Sequence, residues 1–233
     1  MIVIKMKMMM MMIKRALILL VLSLFTVVIY SQEKDFGIWY GVTVKHEIVK
    51  KLDIEISAVV RTFENVKKIE QEFLEGGLDY KLNNYLSAAG SYRLTNNYED
   101  DLKYHLQHKL FLDLKGNLKI ADLSFTGRFR FQARYKTYFE DVDDKIPDYT
   151  ARIRLKATYK TFSFPLDPYL YAETFLPLND DRDRVIGKNR FGAGVELSIG
   201  KRHSVEAEYL FQRDFLPNLL DENIISVNYS FKF

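Results

Sequence analysis

Ile225, Val227, Tyr229, Phe231 and Phe233 alternate with Ser226, Asn228, Ser230 and Lys232 over the last residues of the chain. A repeat of two is the side-chain period of a β-strand, and here one face is wholly apolar while the other is polar. A soluble sheet rarely places its most apolar strand last. A barrel with lipid outside and a polar lumen inside does, because its closing strand needs an apolar outer face. The pattern recurs upstream. Leu123, Phe125, Gly127, Phe129, Phe131, Ala133 and Tyr135 alternate with Ser124, Thr126, Arg128, Arg130, Gln132 and Arg134. Tyr149, Ala151, Ile153, Leu155, Ala157 and Tyr159 alternate with Thr150, Arg152, Arg154, Lys156 and Thr158. Leu102, Tyr104, Leu106, Leu110, Leu112 and Leu114 share a face on which His108 is the exception. Such runs exceed the usual soluble strand of about 5 or 6 residues and reach the roughly 9 to 11 that a tilted strand needs to cross a bilayer. The expected fold is all-β, a transmembrane antiparallel up-and-down β-barrel, with a large soluble sandwich as the alternative.

Strands are predicted at 35–49, 51–64, 70–82, 85–96, 101–115, 118–135, 147–160, 168–177, 185–199, 203–214 and 222–233. Short links at Lys50-Lys51, Asn83-Asn84, Gly116-Asn117 and Gly200-Lys201-Arg202, with 161–167 somewhat longer, alternate with polar, mostly acidic links at 65–69, 97–100, 136–146, 178–184 and 215–221. Asn and Gly suit tight hairpins, and alternation of short with long links is the periplasmic-turn, external-loop pattern of outer-membrane barrels. These segments make an odd set, whereas single-chain bacterial barrels have even strand numbers. The expectation is therefore a barrel of roughly 10 to 12 strands. Either one segment is split or missed, or the Asp35 segment leaves the wall for the lumen. Gly37, Trp39 and Gly41 share its inward face and would permit a bend or a close approach.

The first residues read as an export signal. Lys14 and Arg15 precede an apolar run, Ala16 to Tyr30, ending at Ser31-Gln32. A basic start, a short apolar core and a small residue at the cut describe a secretory signal peptide. The expected division is 1–31 signal peptide and 32–233 barrel, with Met12 as an alternative start because Met12-Ile13-Lys14-Arg15 opens a complete signal by itself. The apolar run is short for a membrane-spanning helix of about 20 residues, so an uncleaved anchor is the lesser alternative.

Composition fits this reading. Hydrophobic residues make up 48 % of the chain and mean hydropathy is −0.17, which is unremarkable because a barrel hides its polar half inside. Tyr (15) and Phe (17) far outnumber the single Trp, and Tyr80, Tyr135, Tyr149 and Tyr159 sit near predicted strand ends, where aromatic girdles belong. With no cysteine, disulfides, thiolate metal sites and Cys nucleophiles are excluded. A net charge of +3, interleaved with apolar residues, gives no nucleic-acid footprint. No phosphate loop, dinucleotide-binding glycine motif or His-rich metal spacing is present, so no cofactor or metal is expected.

Several short motifs carry a resemblance. D-F-G-I-W at Asp35 to Trp39, the charged strand ending in Arg61, L-D-Y-K-L at Leu78 to Leu82, D-P-Y-L-Y-A-E at Asp167 to Glu173 and N-R-F-G-A-G-V-E at Asn189 to Glu196 resemble the outer-membrane β-barrel family catalogued as domain of unknown function 2490 (DUF2490). The likeness spans 35–233. It implies a barrel in the outer membrane of a Gram-negative bacterium; it says nothing of an activity and so carries over no catalytic residues.

The inward faces hold the candidate site. Lys103, Lys109, Arg128, Arg130, Arg134, Arg152, Arg154 and Lys156 form a basic wall on neighbouring strands, and Arg190 adds to the charge cluster. Glu173, Glu196, Glu206 and Glu208 follow on later strands, while Asp53, Glu55, Glu75 and Asp79 lie on earlier ones. One reading is a polar pathway whose basic wall favours anions. The other is a plug, in which these groups pair across a narrow lumen, since an unpaired lumen charge is expensive. Tyr169, Tyr171 and Phe175 flank Glu173 on its inward face, which makes it the most suggestive single residue. Tyr229, Phe231 and Phe233 are expected to signal to the outer-membrane assembly machinery. The expected function is an integral outer-membrane barrel, structural or passing or binding a small solute, surrounded by membrane lipid. The alternative is a lipid hydrolase or acyltransferase, which needs a serine, a histidine and a third orienting group. Of His46, His105, His108 and His203, only His105 is placed to approach Ser87 or Ser91, and no triad is legible.

Overall fold

The computed structural model describes residues 35–99, 101–139, 145–160, 165–180, 185–215 and 220–233. The signal peptide and the Met12 start fall outside the described residues. Among the described residues the strands are β1 (Asp35–Val49), β2 (Leu52–Phe63), β3 (Lys68–Lys81), β4 (Leu86–Tyr98), β5 (Tyr104–Ile120), β6 (Leu123–Lys136), β7 (Asp148–Tyr159), β8 (Leu166–Pro177), β9 (Lys188–Ile199), β10 (His203–Asp214) and β11 (Leu220–Lys232). They close into one barrel in sequence order.

The odd count stands, and its consequence is a parallel seam. Every consecutive pair is antiparallel, but β1 and β11 run the same way, in unbroken register from Asp35↔Glu222 to Lys45↔Lys232. Among the described residues no predicted strand is split, and the Asp35 segment stays in the wall. In a meander each strand reverses its predecessor, so an odd number brings the first and last together in parallel. In lipid the open edges must pair, and a parallel ladder satisfies the backbone almost as well as an antiparallel one.

The seam puts the two ends of the described barrel at opposite rims. The Asp35 carboxylate accepts from the Glu64 and Asn65 N–H groups at 2.9 Å each, tying it to the β2–β3 link at the loop rim. At the turn rim the Phe233 N–H donates to the Lys45 carbonyl at 3.0 Å.

The hairpin predicted at Gly116-Asn117 lies elsewhere. The β5–β6 ladder continues through Gly116↔Gly127 and Asn117↔Thr126 to Ile120↔Leu123, and the chain turns at Ala121-Asp122, with Ala121 at φ 51°. The apolar alternation of Leu118 and Ile120 keeps these residues on the outer face and outweighs the local turn signal. Leu102 is not on the β5 face either. It sits in the turn before β5 at φ 63°. The Asn83 turn is as expected, its side chain accepting from the Tyr85 and Leu86 N–H groups at 2.8 and 2.9 Å.

The burial pattern is inverted relative to a soluble protein. On the outer face Leu112, Leu155 and Leu170 are 64, 66 and 64 % exposed, within a belt that includes Val42, Leu74, Leu110, Phe129 and Phe191. On the inner face Arg152 is 8 % exposed and Glu173 3 %. Apolar surface this extensive belongs against lipid. Tyr104, Tyr135 and Tyr149 lie toward the loop rim of this belt, and Tyr80, Tyr159 and Phe233 toward the turn rim.

One side of the lumen is apolar. Trp39, Tyr169, Tyr171, Leu210 and Ile224 form a buried cluster on β1, β8, β10 and β11. The intervening strand β9 makes room for it. A Cβ at Gly192 would strike the Tyr171 ring, and one at Gly194 would meet the Tyr169 hydroxyl and the Ala207 carbonyl.

Candidate functional site

The wall next to this cluster, at β6 and β7, begins with an electrostatic conflict. The β6–β7 register sets Arg128 opposite Arg154 and Arg130 opposite Arg152. Like charges directly opposite destabilise a ladder, and three of the four guanidiniums turn to acids elsewhere. Arg130 takes Asp113 on β5 as a two-pronged pair, Nε to Oδ1 at 2.6 Å and Nη2 to Oδ2 at 2.7 Å. Arg128 Nη2 and Arg152 Nη2 converge on Glu173 Oε1 at 2.6 and 2.9 Å. The strand register places Glu173 opposite Arg154 and Arg190, not opposite the two arginines it binds. Arg154 instead lies 3.8 Å over the Tyr171 ring, and its buried Nε has no hydrogen-bond partner among the described residues.

The network spans the lumen. Lys156 on β7 reaches Glu206 on β10 at 3.2 Å, passing two intervening strands, and lies 3.5 Å over the Tyr169 ring. Glu208 accepts from the Tyr169 hydroxyl at 2.9 Å. Arg190 donates to Gln212 at 2.6 Å and stands over Trp39 and Phe175 at 5.0 and 4.8 Å, while Arg61 from β2 covers the Trp39 ring at 3.9 Å. Gln212 in turn donates to Glu222. Cation–π contacts of this kind gain strength where water is excluded.

Apart from Lys103, the predicted charged residues lie on the inward phase of their strands, but they do not act as one unit. Arg128, Arg130, Arg152 and Glu173 belong to the paired centre. Arg190, Glu206 and Glu208 belong to the side built around the tyrosines. Glu196 stands apart, opposite Asp167 and Glu206 in register and without an ion pair among the described residues. The earlier acids pair locally: Glu55 with Lys45 at 2.8 Å, Asp53 with Lys81 at 2.9 Å, Asp79 with Lys115 at 2.6 Å and Glu75 with Arg93 at 2.5 Å. Lys103 is in the turn before β5 and exposed, so it leaves the basic wall. Sequence reasoning missed Asp113 and Gln212. Both lie at inward positions of their alternating strands, and that phase was the signal that could have found them.

The histidines are accounted for otherwise. His105 bonds Asp101 at 2.9 Å and stacks on Tyr138, not on Ser87 or Ser91. Ser91 donates to Glu75. His108 bonds the Tyr92 hydroxyl at 2.5 Å on the outer face, and His203 bonds the Tyr229 hydroxyl at 2.6 Å. His46 lies edge-on to Phe233. Among the described residues no hydrogen bond joins a histidine to a serine.

The family model described as protein of unknown function (DUF2490) matches residues 36–222. Among solved structures the barrel is similar to a NanC porin, at 16 % identity and a TM-score of 0.54, covering 85 % of this chain and 99 % of that one. A bacterial polysaccharide outer membrane secretin matches at 9 % identity and a TM-score of 0.48, over 74 % of this chain and 72 % of that one. The beta domain of the Bordetella autotransporter BrkA matches at 12 % identity and a TM-score of 0.47, over 73 and 78 % respectively. No curated protein matches the sequence. At these identities what is shared with the porin is the barrel fold.

Proposed function

The chain belongs to the family described as protein of unknown function (DUF2490), and we propose that it is an integral outer-membrane barrel of a Gram-negative bacterium whose charged lumen holds a small solute in place of an open pore. The observation that carries this reading is the mid-lumen centre in which Arg128 and Arg152 share one oxygen of Glu173. A water-filled pore keeps such groups hydrated. Here Glu173 is nearly inaccessible, and the Lys156–Glu206 pair joins β7 to β10 past two intervening strands. Small barrels fill their interiors with side chains in this way. Lipid surrounds the outer belt, and the assembly machinery is the partner that Tyr229, Phe231 and Phe233 address.

Planar-bilayer recording on the purified, heat-modifiable barrel tests the closed lumen, and thermal unfolding with a panel of small charged solutes tests binding. The expected result is no steady ohmic conductance, together with a raised unfolding midpoint for at least one solute. A large steady conductance overturns the closed lumen. No shift with any solute reduces the barrel to a structural role.

A further inference from the structure

One row of the lumen carries three cations side by side. The register sets Arg93 on β4 opposite Lys109 on β5, and Lys109 opposite Arg134 on β6. The row ends in acids on both flanks. Glu75 faces Arg93 and binds it at 2.6 Å, and Asp148 faces Arg134 and binds it at 2.8 Å. Lys109 in the middle is 7 % exposed and, among the described residues, makes no ion pair or hydrogen bond; Glu70 pulls on its charge from a distance, against the larger push of Arg134, Arg93 and Arg61. A buried ammonium between two guanidiniums is costly unless something neutralises it.

A second observation lies beside it. One inward position toward the loop rim, Thr95 on β4 faces Gln107 on β5, and both are completely buried. Among the described residues the Thr95 hydroxyl and the Gln107 carboxamide oxygen have no hydrogen-bond partner. A buried polar group is seldom left orphaned, and of these two only the Thr95 hydroxyl can donate to a ligand; the Gln107 oxygen accepts only and takes no part in holding an anion.

Resting on the solute reading above, we infer that Lys109 and Thr95 form a binding site for one small oxyanion group, a carboxylate or a phosphate, entered from the loop rim. The ammonium supplies up to three donors and the hydroxyl one, and a group with several acceptor oxygens can take them together. The Arg93 and Arg134 guanidiniums hold their own acids and add field from either side. The site is separate from the Glu173 centre, where the cations that converge on Glu173 already share a carboxylate.

The test compares the parent barrel with Lys109→Gln and Lys115→Gln in detergent micelles. Inorganic phosphate and acetate are the probes, chloride at matched ionic strength is the background, and heat-modifiability reports folding. The parent is expected to bind either phosphate or acetate at one site per barrel. Lys109→Gln should weaken that binding at least about tenfold, the loss of one charge-assisted contact. It should also unfold at a higher temperature than the parent in chloride alone, because it removes the central charge of the row. Lys115→Gln should bind as the parent does. Unchanged binding by a folded Lys109→Gln overturns the site while leaving a solute-binding lumen intact. A parent that binds neither oxyanion but is stabilised by other solutes also overturns the site alone. A parent stabilised by no solute overturns both.

Discussion

Arg152 donates twice to a single oxygen of Glu173, from Nη2 at 2.9 Å and from Nε at 3.1 Å. That oxygen also accepts from Arg128, so one carboxylate is shared by two guanidiniums from different strands. Replacing Glu173 by alanine leaves both buried charges without their shared carboxylate. Breaking such a buried arrangement costs about 3–5 kcal/mol. Glu55→Ala removes one half of an exposed pair with Lys45 and should cost under about 1 kcal/mol. Denaturant unfolding of the two variants in lipid vesicles measures the difference. Equal midpoints would mean that water reaches the Glu173 centre.

The parallel seam is open to direct chemistry, because the chain has no cysteine of its own. Thr43 pairs with Ser230 and Asp35 with Glu222. Cysteine pairs at both places should oxidise to cross-links in the folded barrel, since paired strands bring Cα atoms within disulfide reach. An antiparallel closure could satisfy one of these pairs but never both. A cross-link between cysteines at Asp35 and Lys232 would be its signature.

Gly192 is expected to tolerate no side chain. A methyl group there meets the Tyr171 ring, so Gly192→Ala should destabilise the barrel by about 1–3 kcal/mol. Gly76 faces outward, and a methyl group added to it would have nothing within 4 Å, so Gly76→Ala should be neutral or slightly stabilising. Thermal unfolding of the pair decides whether the tyrosine cluster is packed as described.

Phe233 packs edge-on to Phe231 at 4.7 Å and to His46 at 5.9 Å, on the outer face at the turn rim. Phe233→Ala should sharply lower the fraction of protein that inserts and becomes heat-modifiable. Lys232→Ala, on the lumen phase and exposed, should change it little. Equal insertion of the two variants would remove Phe233 from the assembly role.

Much of the barrel was written in its alternation. In Leu123 to Tyr135 the phase of two by itself separates the lipid-facing phenylalanines from the lumen-facing arginines, because a strand gives neighbouring side chains opposite sides. The same phase placed Glu173 beside Tyr171 and Phe175, and it put Trp39 on the inward face. Local signals failed where a longer-range term outweighed them. Gly116-Asn117 reads as a hairpin, yet the apolar phase of Leu118 and Ile120 carries the ladder past it. How the barrel closes could not be read locally at all, because the pairing of Asp35 with Glu222 is a property of the whole circuit of strands. Nor could the choice of Arg128 and Arg152 as partners of Glu173 while Arg154, directly opposite, turns to the Tyr171 ring. The sequence by itself determined which side of each strand meets lipid. Only the tertiary structure decided the parallel seam and the charge pairs, because both depend on side chains and edges that meet through space, where long guanidinium arms reach past the residue that register alone would assign.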